Sequence, residues 1–334
     1  IIVEGVMRQI GADIDQVHGQ SGRMVKPAFY LTGIAIQNSD MSSTAPMPAP
    51  SKWNAYWRLM RFDRPIGILL LLWPTLWALW IAGAGLPSLK NVLIFVMGVV
   101  LMRAAGCIMN DVADRDFDPH VERTRNRPLA AGELATREAL ILFAILMLVA
   151  FGLVLLTNAL TIKLAFVGAA LASTYPFFKR FTHFPQVVLG VAFGWGMVMA
   201  FAAETQAVPA VAWWLLAINT LWSVIYDTLY AMVDREDDLA VGVKSTAILF
   251  GRHDLLILRI LKLCMILMLV ILGLAMEFSW PWYAAVIMAA GLFFRQEVEV
   301  RDRSPQACFS AFLNNNWVGL VLFAGLLGHY LWVG

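Results

Sequence analysis

Val92-Leu93-Ile94-Phe95-Val96-Met97-Gly98-Val99-Val100-Leu101-Met102-Arg103-Ala104-Ala105-Gly106-Cys107-Ile108-Met109 runs directly into Asn110-Asp111-Val112-Ala113-Asp114-Arg115-Asp116-Phe117-Asp118. The apolar part approaches the ~20 residues that a helix needs to cross a bilayer. It shows no period-2 alternation, and lipid offers no partner to backbone N–H and C=O groups, so the segment reads as a membrane-spanning helix. The second part sets four carboxylates at the end of that helix, where hydrocarbon gives way to water.

The rest of the chain repeats the first half of this pattern. Similar apolar runs occupy about 66–84, 91–109, 138–156, 160–178, 186–203, 210–230, 257–276, 280–295 and 316–333. The fold expected is therefore all-α, a polytopic membrane protein of nine transmembrane helices around a central cavity. Composition agrees: 60% of the 334 residues are hydrophobic and 14% charged, with a mean hydropathy of +0.70. Soluble chains have roughly 45–50% apolar and ~25% charged residues. A net charge of +2 provides no basic field for nucleic acid. Cys107, Cys264 and Cys308 form neither a disulfide framework nor a metal-ligand spacing, and the first two read as buried in apolar surroundings.

Basic residues orient the bundle. With the N-terminal side in the cytoplasm, seventeen fall in inside segments: Lys52, Arg58, Arg61, Arg64, Arg115, Arg123, Arg125, Arg127, Arg137, Lys179, Arg180, Arg235, Lys244, Arg252, Arg295, Arg301 and Arg303. Lys90 alone falls outside. The positive-inside rule predicts this asymmetry for nine spans, and one miscounted helix would have blurred it. Residues 1–50 are polar, contain the Pro-rich run Ala45-Pro46-Met47-Pro48-Ala49-Pro50, and lack the features of a signal peptide. They read as a flexible tail, with Met41 a natural start, ahead of a transmembrane domain over 51–334.

Acidic residues are more concentrated still. Of nineteen after residue 41, nine lie in two short stretches, 111–118 and 227–238. Asn110, Asp114 and Asp118 recur at i, i+4 and i+8, and Asp227, Asp234 and Asp238 at 0, 7 and 11, so each set would line one face of a continued helix. Solvated charges at helix ends would explain one such cluster. Two with matched spacing on the same side need something positive between them, because stacked carboxylates repel. Mg²⁺ suits hard oxygen ligands and is commonly held by one or two carboxylates plus substrate phosphate oxygens. A diphosphate clamped through Mg²⁺ is the expected ligand.

Asn110-Asp111-x-x-Asp114-x-x-x-Asp118 and Asp227-x-x-Tyr230-Ala231-x-x-Asp234-x-x-Asp237-Asp238 resemble the paired motifs of the UbiA superfamily of intramembrane prenyltransferases. The resemblance runs from about residue 52 to the C-terminus. It includes Arg61-Phe62-Asp63-Arg64-Pro65-Ile66-Gly67, Asn126-Arg127-Pro128-Leu129, Tyr175-Pro176-Phe177-Phe178-Lys179-Arg180, Lys244-Ser245-Thr246-Ala247 and Asn314-Asn315-Asn316. These flanking segments look most like the branch that prenylates 4-hydroxybenzoate for ubiquinone.

The resemblance implies Mg²⁺ dependence, a polyprenyl diphosphate donor, 4-hydroxybenzoate as acceptor, and contact with membrane lipid. It places the protein in a bacterial-type inner membrane with its active site facing the cytoplasm. By position Asn110, Asp114, Asp118, Asp227, Asp234 and Asp238 match the metal-diphosphate motifs, with Asp114, Asp118, Asp234 and Asp238 central to catalysis. Arg103 shares the face of Asn110 two turns earlier and is assigned to the diphosphate with Lys179, Arg61 and Lys244; a structural pair with an aspartate is its alternative. Arg180 is assigned to the acceptor carboxylate through a bidentate guanidinium, with Asp234 a second acceptor contact. Tyr175 is placed to stabilise an allylic cation, or to act as an interfacial anchor. Other acceptors, such as haem or dihydroxynaphthoate, would use the same aspartates. A secondary transporter fits less well, lacking paired Gly/Pro-interrupted spans, and the DG-x-x-AR signature of lipid-head-group phosphotransferases is absent.

Overall fold

The computed structural model describes residues 51–121 and 123–334, so the tail expected over 1–50 lies outside the described residues. These form helices and no strand. They are α1 (Lys52–Leu59), α2 (Ile66–Ala82), α3 (Leu89–Asp114), α4 (Thr136–Val154), α5 (Ala159–Thr174), α6 (Pro185–Thr205), α7 (Ala210–Val233), α8 (Arg235–Val241), α9 (Thr246–Phe250), α10 (Asp254–Ala275), α11 (Trp280–Glu299) and α12 (Pro305–Val333).

Seven helical stretches among the described residues are long and apolar enough to cross a membrane: those built on α3, α4, α5, α6, α7, α10 and α12. Of the nine expected spans, the two outside this set are α2 and α11. Helix α2 has 17 residues and contains Pro74, and α11 dilutes its apolar centre with Trp280-Pro281 at one end and Arg295-Gln296-Glu297 at the other.

Helix α2 is the axis of the bundle, packed against α3, α6, α7 and α12. Its tryptophans explain how. Trp77 stacks on Trp222 of α7 with ring centroids 5.5 Å apart. The Trp222 indole donates to Asn315 Oδ1 at 3.0 Å, and Trp73 donates to Asn316 Oδ1 at 2.8 Å. Adjacent asparagines on α12 thus accept from indoles on two other helices, and each satisfied pair avoids the cost of an orphaned buried N–H. Helices α6 and α7 approach closely because Gly190 and Gly194 face α7: a Cβ at Gly190 would lie 2.8 Å from the Thr220 Cα, and one at Gly194 2.6 Å from Leu216. Small residues four apart let backbones approach where lipid gives no hydrophobic push. Cys107 and Cys308 are buried, whereas Cys264, expected to be buried, is exposed on α10.

A second apolar cluster joins Ala55 and Leu59 of α1 to Ala104, Ala105 and Ile108 of α3 and to Ala139 and Leu146 of α4. It seats the final turns of α3, and hence the first carboxylate row, against rigid neighbours.

Candidate active site

Helix α3 runs on past its apolar part and carries Asn110, Asp111 and Asp114 to its last turn. The expectation that Asp118 continues the same helical face is corrected here. The helix ends at Asp114, and Asp118 opens a separate 3-10 turn, Asp118–His120. Pro119 contributes, since it has no N–H to give the Arg115 carbonyl and an α-helical ladder cannot run through it. The second row also breaks. Helix α7 stops at Val233, Asp234 sits at the junction with φ −100° and ψ 9°, and Asp238 rides on α8.

Both rows nevertheless meet. Asn110, Asp114, Asp118, Asp227, Asp234 and Asp238 all line one cavity of about 490 Å³ at the end of the bundle. Arg61, Arg103, Tyr175, Lys179 and Lys244 line it too. Lys179 pairs with Asp114, whose Oδ2 also accepts from Asn110 Nδ2 at 3.1 Å. The other oxygen of Asp114 is buried without a hydrogen-bond partner. Arg61 forks onto both oxygens of Asp111 at 2.9 and 3.0 Å. The backbone N–H of Lys244 donates to the Lys179 carbonyl at 3.1 Å, and its Nζ donates to the Phe181 carbonyl at 3.3 Å, so Lys244 braces the Lys179 turn.

Residues that the sequence reading did not assign to the site complete it. Arg127 donates to Asp118 at 2.9 and 3.1 Å and lies 3.2 Å from Asp111. Arg123 donates through Nε to Asp234 Oδ1 at 2.8 Å, bonds to the Tyr230 hydroxyl, and sits 4.5 Å over the Tyr230 ring. It links the loop after the first row to the second row. The available signal was the crowding of Arg123, Arg125 and Arg127 just after four carboxylates, which topology alone had absorbed. Burial, and then the neighbouring Asp234 charge, push the Asp238 carboxyl up to about 7. Burial likewise raises Asp118, against the pull of Arg127.

Arg180 is not brought into the cavity. Its guanidinium bonds to the Ala113 carbonyl and lies 5.4 Å over Phe117 and 5.6 Å over Phe177. The segment Tyr175–Arg180 is a 3-10 helix. At ~3 residues per turn, adjacent side chains diverge by about 120°, so Lys179 turns inward and Arg180 outward. Tyr175 and Lys179 both face the cavity.

Arg103 lies seven residues before Asn110, about 10 Å deeper at the ~1.5 Å helical rise. Its guanidinium contacts Cys107 Sγ, its Nε is buried without a hydrogen-bond partner, and it forms no ion pair among the described residues. It is a half-buried cation facing a cavity without an ion-pair partner among the described residues. Tyr175 and Phe193 line this polar cavity and also a second, apolar one of about 160 Å³ between α2, α3, α4, α5 and α6. Both spaces are bordered by Tyr175, whose ring packs edge-on against Phe193 at 6.3 Å. A polar chamber bordering an apolar one suits a molecule with a charged head and a hydrocarbon tail.

The family pattern of UbiA prenyltransferases matches residues 71–324. The chain belongs to the UbiA prenyltransferase family. Among its UbiA relatives, 4-hydroxybenzoate octaprenyltransferase of Methylococcus capsulatus is 56% identical over 289 residues, covering 86% of this chain and 99% of that one. The fold is shared with a UbiA homologue from Aeropyrum pernix K1, at a TM-score of 0.69 and 22% identity over 78% of this chain and 97% of that one. It is also shared with a UbiA homologue from Archaeoglobus fulgidus bound to GPP and Mg²⁺, at a TM-score of 0.64 and 17% identity over 83% and 99%.

Whether the residues of this UbiA site suit a metal follows from their chemistry. Among the described residues no three His, Cys, Asp or Glu side chains converge into a ready-made metal site. Carboxylate and amide oxygens instead face one cavity from two sides, most held by cations, with one buried oxygen of Asp114 unpartnered. Hard donors supplying only part of a coordination shell fit Mg²⁺, which keeps waters and takes further ligands from a phosphate.

Proposed function

We propose that this protein transfers a polyprenyl group from polyprenyl diphosphate to the ring carbon ortho to the hydroxyl of 4-hydroxybenzoate, releasing pyrophosphate, in ubiquinone biosynthesis. The observation that carries this reading is the cavity in which two carboxylate rows and a deeper unpaired guanidinium come together, with an apolar cavity bordering it at Tyr175. The names of close relatives point the same way and specify an octaprenyl donor.

Asn110, Asp114, Asp118, Asp227, Asp234 and Asp238 would hold Mg²⁺, which as a Lewis acid would neutralise charge on the departing pyrophosphate. Lys179, Arg61, Lys244, Arg123 and Arg127 add fixed positive charge around the same head group. Preorganised charge of this kind favours the transition state because it needs no reorganisation as the C–O bond breaks. The allylic carbon would lie near the border of the two spaces, where the Tyr175 ring faces the cation that forms. The tail would occupy the apolar chamber and reach lipid.

Arg103 takes the acceptor role first assigned to Arg180. It lines the cavity half-buried and free of carboxylate partners, so the 4-hydroxybenzoate carboxylate would supply the counter-charge that an arginine at membrane depth requires. Asp234, held by Arg123 beside Tyr230, is the second acceptor contact. Held in this way, the acceptor presents its ring to the allylic carbon, a C–C bond forms and the ring proton leaves. Orientation of this kind converts an encounter into a near-attack geometry.

The seventeen inside cations against Lys90 support nine membrane spans with the N-terminal side in the cytoplasm, which would put the cavity at the inner face of a bacterial-type inner membrane. The direct test offers octaprenyl diphosphate with 4-hydroxybenzoate, dihydroxynaphthoate or haem to purified protein in liposomes containing Mg²⁺. Prenylated 4-hydroxybenzoate and stoichiometric pyrophosphate are expected. Product only from another acceptor would reassign the substrate, and movement of a solute without pyrophosphate release would make the protein a transporter.

A further inference from the structure

Outside the cavity, the most completely enclosed carboxylate is Asp254, the first residue of α10, with no exposed surface. Two guanidiniums from distant segments converge on it. Arg235 reaches Oδ2 at 2.5 Å. Arg303 reaches Oδ1 through Nη2 at 2.8 Å and Nε at 3.0 Å. The Leu255 backbone N–H donates to the same Oδ1 at 2.6 Å, and Arg303 also donates to the Arg252 carbonyl at 3.2 Å. Arg303 adopts φ 56° in the turn before α12, a conformation that is costly for a non-glycine residue and held here by these bonds. One carboxylate therefore ties together the start of α10, the α11–α12 turn and the α7–α8 junction.

The junction is what matters. Arg235 is the residue after Asp234 and opens α8, which carries Asp238 one turn later. Where Asp234 leaves the helix and α8 begins, the chain has no apolar anchor, since α8 buries none of its residues. The Arg235–Asp254 pair anchors that segment from outside the cavity, as Arg123 holds Asp234 from within it. It also keeps the Arg235 charge directed away from two carboxylates on its own stretch of chain.

We propose that Asp254 is a positioning residue for the second carboxylate row: through Arg235 it fixes the bend at which Asp234 and Asp238 face the cavity, and it keeps that guanidinium from pairing with them in place of a metal. The proposal rests on the reading of those aspartates as metal ligands. Breaking a buried ion pair from one side leaves a charge seeking a new partner, so Asp254→Asn frees Arg235 beside Asp234 and Asp238.

The test uses Mn²⁺ as a paramagnetic substitute, with binding to purified full-length protein followed by electron paramagnetic resonance in the presence of geranyl thiodiphosphate. Wild-type protein is expected to bind Mn²⁺, Asp254→Asn to bind it at least tenfold more weakly, and Arg235→Gln to lose less affinity than Asp254→Asn, because no cation is released. In parallel, Asp254→Asn should raise the Mg²⁺ concentration for half-maximal activity. Glu297→Gln, which removes the nearby Arg259–Glu297 pair between α10 and α11, should leave Mn²⁺ affinity unaltered. If wild-type protein binds no Mn²⁺, the metal reading fails. If it binds and Asp254→Asn binds equally well, or Glu297→Gln weakens binding as much, the positioning role is overturned. Should Asp254→Asn not fold, Arg235→Gln decides: unchanged Mn²⁺ affinity in that variant overturns the proposal.

Discussion

The Arg103 guanidinium lies against the bare backbone of Gly67: a Cβ built on that glycine would sit 2.1 Å from Arg103 Nε and 2.4 Å from Nη2. Glycine at the start of α2 is therefore the space that the half-buried arginine occupies. Gly67→Ala should force Arg103 out of position while leaving both carboxylate rows in place. The expected result is a rise in the 4-hydroxybenzoate KM of roughly tenfold or more, the scale of a lost charge-assisted hydrogen bond, with the donor KM nearly unchanged. Steady-state kinetics with each substrate varied in turn would check it, and equal effects on both KM values would place Arg103 on the diphosphate.

Removing one carboxylate from each row tests the cavity itself. Asp114→Ala and Asp234→Ala should each abolish turnover, while the protein still inserts into membranes and elutes as a single species after detergent extraction. Full activity in either variant would end the reading of a metal-held diphosphate. Loss of folding is not expected from Asp234→Ala, because Arg123 keeps its contact with Tyr230.

Much of this architecture was written in hydrophobic runs and in the side on which cations fall, because a bilayer imposes both without reference to detail. The carboxylate rows were legible for a related reason: repelling charges at helical spacing are expensive unless used. What could not be read was local backbone geometry. Pro119 contributes to the bend at Asp118, but the 3-10 segment that sends Lys179 inward and Arg180 outward depends on how Tyr175–Arg180 packs between α5 and α6. The sequence directed both adjacent cations, Lys179 and Arg180, to the site, and one residue of helical phase separated them. Arg123 and Arg127 were hidden differently, since a cation that serves topology and a cation that serves a site are the same letter.

That phase difference can be measured. Arg103→Ala should raise the acceptor KM by ten- to a hundredfold, the range for a charged partner left unpaired at ~1.5–3 kcal/mol, with a much smaller change in donor KM. Arg180→Ala should change either KM by less than about threefold, because its guanidinium is held by the Ala113 carbonyl and the Phe117 and Phe177 rings and does not itself line the cavity. The reverse pattern would return the acceptor carboxylate to Arg180.

The asparagine–tryptophan bonds at the centre of the bundle should matter for stability and little for chemistry. Asn315 is fully buried, accepts from Trp222 and donates through Nδ2 to the Ala311 carbonyl at 2.9 Å. Asn315→Leu keeps the volume but strands the Trp222 indole N–H in a dry interior, a loss of about 1–3 kcal/mol. Trp222→Phe removes the donor and part of the stack on Trp77, so it costs through packing instead. If the hydrogen bond is the coupling, the double variant should be less destabilised than the sum of the two singles, since no orphaned N–H remains. Thermal unfolding in detergent, followed for all four proteins, gives the cycle. Strict additivity would mean that the bond contributes nothing and that helices α7 and α12 are held by packing alone.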